Sequence, residues 1–230
     1  MNIDELILLR KEAENHLLNE LLPFWTSRFE DKVDGGFITH FDEKGNDSGE
    51  DEKSLIAQTR CLYTISSAYR AGYGGEEYAR LARHGFDFLI NKMWDSEYGG
   101  FFWMVDRKGN AKIDKKIIYG HSFAIYSLSE YTLATGDKRG VEYAEKVFDL
   151  LQKYCVDTMY GGYWEMFMRD WTLCGPGSQG GDRKTLDVHM HLIEALTTLF
   201  ECTGKDVHRR KLREIRSEEH TSELQSRQSI

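Results

Sequence analysis

Gly35-Gly36-Phe37-Ile38-Thr39-His40-Phe41-Asp42-Glu43-Lys44-Gly45-Asn46 returns 64 residues later as Gly99-Gly100-Phe101-Phe102-Trp103-Met104-Val105-Asp106-Arg107-Lys108-Gly109-Asn110. A looser third copy opens at Gly161-Gly162-Tyr163-Trp164-Glu165. Each copy reads as two glycines, a short aromatic and β-branched strand, and an Asp-x-x-Gly turn, which is the pattern of a small hairpin. A period this long points to stacked repeats and makes the repeat the unit of the fold.

Between the hairpins, apolar residues three and four apart predict helices over 52–70, 76–92, 117–135, 138–154 and 185–203. The first helix of each pair runs out at Gly72, Gly136 or Gly204, where a left-handed C-terminal residue is needed. The unit is therefore a helix, a glycine turn, a second helix and a hairpin. Helical pairs of this kind bury their apolar faces only against neighbours, so the expected fold is all-α: an (α/α)6 toroid with short β-hairpins at one rim. A closed ring of six pairs needs roughly 380 residues at this unit length, so the 230 residues here hold about three repeats. Residues 1–215 are expected to form the N-terminal part of one such domain. Residues 216–230, beginning Arg216-Ser217-Glu218-Glu219-His220-Thr221-Ser222, resemble the translation of a sequencing adapter and are set aside as foreign.

Composition narrows the function. A hydrophobic fraction of 40% supports a packed core, and a net charge of −8 without a basic stripe argues against nucleic acid as a partner. No apolar run is long enough for a membrane span, and Met1–Leu18 carries too many charges for a secretion signal. Cys61, Cys155, Cys174 and Cys202 are widely spaced, which fits a reducing, cytoplasmic setting better than a disulfide framework. P-loop, GxGxxG, GxSxG and HExxH patterns are missing, so neither a cofactor nor a metal is expected.

In α/α toroids the first helix of each pair lines the central cavity. Arg60 lies there among Leu55, Ile56, Leu62 and Ile65, with Tyr63, Thr64 and Ser67 completing a polar stripe. Its fork serves either a structural carboxylate or a ligand oxygen. On the third such helix, Asp187 and His191 are four apart and can meet, Glu194 follows one turn on, and His189 points away. Two histidines at i,i+2 diverge on a helix, which disfavours zinc. His121, on the second such helix, fits a hydrogen-bonded core residue as well as a functional one, and Tyr119 fits core or cavity wall. Rim carboxylates Asp34, Asp42, Asp106 and Glu165 offer a rival, glycosidase-like reading, with Trp103 and Trp164 as sugar platforms. However, Asp42 and Asp106 recur at one turn position, as turn formers do.

The chain resembles the N-acylglucosamine 2-epimerase family, with its cellobiose 2-epimerases and mannose isomerases. The stretches that carry the likeness are Gln58-Thr59-Arg60, Tyr98-Gly99-Gly100-Phe101-Phe102-Trp103, Tyr119 with Phe123-Ala124-Ile125-Tyr126, Arg169-Asp170-Trp171, and His191-Leu192-Ile193-Glu194-Ala195. The resemblance implies an (α/α)6 barrel that moves a proton at C2 of an open-chain aldose through an enediolate. It assigns Arg60 and His191 to catalysis and Tyr119 to the cavity; Asp187, a departure where the family often has asparagine, and Trp103, an aromatic able to stack on a sugar, are expected to be substrate-binding. It places the principal acid/base histidines in a C-terminal half, so this chain by itself is expected to be inactive. A sugar is the expected partner and a homodimer the expected assembly of a full-length member. The alternatives are a toroidal glycoside hydrolase or lyase and a non-catalytic protein-binding member.

Overall fold

The computed structural model describes residues 2–177 and 180–228, without the side chains beyond Ser217. Three helical hairpins stand side by side: α3 (Leu55–Arg70) with α4 (Gly75–Phe88), α5 (Ile118–Thr135) with α6 (Lys138–Tyr154), and α7 (Leu186–Thr203) with α8 (Asp206–Gln228). Two N-terminal helices, α1 (Ile3–His16) and α2 (Leu22–Thr26), precede them, joined by a widened helical turn at Leu17–Leu21. The α1 helix starts on a reciprocal cap in which Asn2 and Glu5 each accept the other's backbone N–H. Its leucines remain exposed.

The first helix of each pair packs against the next, α3 on α5 and α5 on α7, and each second helix backs its own partner. The middle helix α5 is therefore buried on nearly every side, which explains its apolar sequence all round. At its end Gly136 adopts φ +77, and Gly204 ends α7 likewise at φ +65, a region open to glycine at little cost.

A single device fastens every hairpin rim to the helix that follows, and it occurs in three copies. Asp31, Asp95 and Asp157 each accept two backbone N–H groups of their own turn through Oδ1. Through Oδ2 each binds a lysine just before an inner helix: Lys53 at 2.8 Å, Lys116 at 2.9 Å and Lys184 at 2.5 Å. One turn into that helix, a side chain seizes the residue after the double glycine. Gln58 accepts from the Phe37 N–H and donates to its carbonyl, while His121 Nε2 accepts from Phe101 at 3.0 Å and His189 Nε2 from Tyr163 at 3.1 Å. The second glycine is needed twice over. Gly100 has φ +72, and a β-carbon there would sit 2.8 Å from His121 Nε2.

Burial destabilises the Asp31 carboxylate, but the Lys53 hydrogen bond and the turn amides outweigh it and hold the group down to about 2. Asp95 is held below its ordinary range in the same way, with Arg169 adding two bonds. Removing one partner of such a buried pair costs about 3–5 kcal/mol.

Strands are brief, as the hairpin reading requires. β1 (Lys53–Ser54), β2 (Met104–Val105) and β3 (Ala111–Ile113) form one antiparallel sheet, and β4 (Lys116–Ile117) pairs with β5 (Met166–Phe167). They bring the starts of α3 and α5 against the following repeat: the Leu55 N–H donates to the Trp103 carbonyl and the Ile118 N–H to that of Glu165. In the adapter-like run, the backbone continues α8 as far as Gln228; residues 229 and 230 lie outside the described part.

Candidate active site

The inner helices present a continuous row of side chains. The Arg60 guanidinium on α3 lies over the Phe123 ring of α5, 4.5 Å from its centroid. Phe123 in turn sits 4.5 Å from the His191 ring of α7, and Tyr119 packs on both, 5.3 Å from Phe123 and 5.1 Å from His191. Three helices thus deliver a cation, a phenol and an imidazole to one patch. A cation on an aromatic face keeps its N–H fork free to point outward.

Beside Arg60, a cavity of about 650 Å³ is walled by Trp25, Ala57, Cys61, Thr64 and Trp103. Trp103 reaches it because Gly120 has no side chain; a β-carbon there would lie 3.0 Å from the indole. Burial pushes the Cys61 thiol up to about 12, so it supplies wall rather than nucleophile.

Of the five expected residues, Arg60, Tyr119 and His191 therefore come together around Phe123, and Trp103 shares the neighbouring cavity with Arg60. Asp187 does not join them. It is exposed, and among the described residues no hydrogen bond links it to His191, whose Nδ1 instead meets Glu194 Oε2 at 2.8 Å. The reason is helical geometry: both positions neighbour His191, and the longer glutamate arm closes the gap from the far side.

The other inner-helix histidines are structural. His121 is fully buried, and burial pushes its imidazole down to about 3; Nδ1 donates to the Ile117 carbonyl while Nε2 receives the Phe101 N–H. His189 repeats this arrangement with Thr185 and Tyr163. Among the rim carboxylates, Asp42 and Asp106 spend their oxygens on Asn46 and Asn110 within their own turns. Arg169 is taken by Asp95 and Glu97, and the Trp171 indole donates to Tyr98. Phe123, which joins Arg60 to His191, was not singled out from the sequence, where an aromatic within an apolar helix looks like core; its offset of 63 from Arg60, matching the repeat, is the signal that places the two at equivalent positions.

Residues 36–228 match the N-acylglucosamine 2-epimerase family. The chain belongs to that family. It is 34% identical to a cellobiose 2-epimerase of Bacteroides fragilis over 197 residues, which is 84% of this chain and 50% of the relative. It is 27% identical to a D-mannose isomerase of Marinomonas mediterranea over 171 residues, 74% of this chain and 41% of that protein. The solved cellobiose 2-epimerase of Spirochaeta thermophila superposes with a TM-score of 0.85 at 29% identity, covering 93% of this chain and 53% of its own. The chain spans about half the length of the relatives it matches. Its three hairpins are an arc of the (α/α)6 toroid of this epimerase family, with the Arg60–Phe123–His191 row on the helices that line the ring.

Proposed function

We propose that this chain carries the oxyanion-holding and proton-moving side chains for sugar 2-epimerisation or aldose–ketose isomerisation. The supporting observation is the row of Arg60, Phe123, Tyr119 and His191 across three inner helices, whose Arg60 end lines the cavity that Trp103 also walls. Loss of the C2 proton from an open-chain aldose leaves an enediolate whose charge gathers on the C1 and C2 oxygens. The Arg60 fork suits that charge, and an imidazole is the side chain whose ordinary titration range suits the proton. Trp103 offers a face for the sugar ring and Tyr119 a hydroxyl, whereas Asp187, exposed and apart from the row, is left without a part in this reading. The relatives' names support a sugar substrate; mannose, cellobiose and N-acetylmannosamine are the ones to try.

Inversion at C2 needs proton delivery to the face opposite the base. His121 and His189 cannot serve, because both nitrogens of each ring are bonded to the backbone. The chain alone is therefore expected not to epimerise. In D2O, His191 should remove the C2 proton and return a deuteron to the same face, giving starting sugar deuterated at C2 without the epimer. His191→Asn and Arg60→Ala should each abolish the exchange. Exchange no faster than the buffer blank, or exchange that survives both substitutions, would refute the proposal.

A further inference from the structure

Three histidines stand on the inner helices, and the way each is held differs in one respect. In His121 and His189, Nδ1 meets the backbone carbonyl four residues earlier, Ile117 at 2.8 Å and Thr185 at 2.8 Å, while Nε2 receives a backbone N–H. Each of these rings is thereby fixed as the Nδ1–H form, with its remaining lone pair used. His191 has the same Nδ1 polarity, but its partner is the Glu194 carboxylate at 2.8 Å. Among the described residues its Nε2 has no hydrogen-bond partner. Tyr119 and Phe123 pack against the ring at 5.1 and 4.5 Å and stop it turning over.

We propose that Glu194 is the positioning residue for His191: it holds Nδ1 protonated, so that Nε2 keeps its lone pair free to take a proton. The inference rests on the reading of His191 as the proton-moving group. A carboxylate on the far nitrogen fixes the tautomer and stabilises the imidazolium that forms when Nε2 takes a proton. A backbone carbonyl, as used by His121 and His189, gives the tautomer without the charge. Glu194 itself is 55% exposed and needs no contact with the sugar.

The full chain, uniformly labelled with nitrogen-15, tests this through long-range proton–nitrogen correlation of its imidazoles at alkaline pH. In the unmodified protein His191 should give a protonated Nδ1 and a bare Nε2, the pattern of His121 and His189. Glu194→Leu should move His191 to the Nε2–H form that unconstrained histidine favours and leave His121 and His189 as they were; those two signals also certify that the variant is folded. Glu194→Gln keeps an acceptor oxygen and should retain the Nδ1–H form. An Nε2–H form in the unmodified chain overturns the proposal, as does an Nδ1–H form that persists in Glu194→Leu. Should Glu194→Leu fail to fold, the unmodified chain and Glu194→Gln still decide. Where C2 exchange is measured, Glu194→Leu should slow it about tenfold or more at unchanged sugar affinity. Tautomers as expected with no exchange anywhere would refute the catalytic reading and leave the positioning of His191 intact.

Discussion

Replacing His121 by glutamine asks whether the rim clamp is one interchangeable part. Gln58 does the same work in the preceding repeat, bonding both the N–H and the carbonyl of Phe37. At pH 7.5, His121→Gln should therefore keep the Phe101 N–H satisfied and change stability by no more than about 1 kcal/mol, the scale of one net hydrogen bond. His121→Ala should cost about 3 kcal/mol or more, because it orphans a buried donor and opens a cavity. The pH dependence carries the sharper test. His121 has an ordinary value of 6.5, pushed down to about 3 in the folded chain by burial. The unfolded chain thus takes up a proton that the folded chain refuses. The stability gained from keeping this ring neutral is complete above pH 6.5, falls as the pH drops, and is gone near pH 3. Each unit below 6.5 removes about 1.4 kcal/mol, so at pH 5 the unmodified chain loses about 2 kcal/mol that His121→Gln retains. Urea titrations followed by circular dichroism at several pH values between 7.5 and 5 measure the difference directly, and other histidines cancel between the two proteins. Parallel stability curves over that window would refute the reasoning.

Three further outcomes follow from the same contacts. Lys116→Met leaves Asp95 buried with Arg169 as its remaining cation and should destabilise the fold by about 3–5 kcal/mol, read as a lower urea midpoint. Gly100→Ala forces a left-handed alanine against the Trp171 ring and His121; the expected loss is about 2 kcal/mol or more, and a thermal midpoint equal to that of the unmodified protein would contradict it. Deleting residues 216–230 should leave the thermal midpoint unchanged, since Ile215 is buried and Arg216 and Ser217 are exposed.

Much of the fold was legible because the repeat is written in residues with few alternatives. Double glycines at 35, 99 and 161 require left-handed backbone, and all six adopt it. Gly136 and Gly204 end α5 and α7 as expected, and Gly72 follows the end of α3. The helices over 138–154 and 185–203 match α6 and α7 within a residue. The α1 and α2 helices were not anticipated, since they lie before the first repeat and α1 buries none of its apolar residues, so no period marks them. In the candidate site, Arg60 and His191 stood out as polar residues on the first helices of their pairs and Trp103 as a hairpin aromatic able to stack on a sugar, while Tyr119 was separable from core only through the family resemblance. The choice between Asp187 and Glu194 as the partner of His191 was not legible: i,i+3 and i,i+4 spacings are equally permissive, and side-chain length decides. His121 and His189 look like functional histidines in one dimension. Their role emerges only when the hairpin backbone, 20 and 26 residues distant, folds onto their rings.

The lysines of the rim device have a practical use. Lys53 and Lys116 are 1% and 0% exposed, whereas Lys32 is largely open to solvent. An amine-acylating reagent should modify the surface ammonium groups within minutes and reach these two only when their own repeat springs open. Mass spectrometry of the time course then clocks the opening of neighbouring hairpins one by one, with the protein carrying its own site-specific stopwatch.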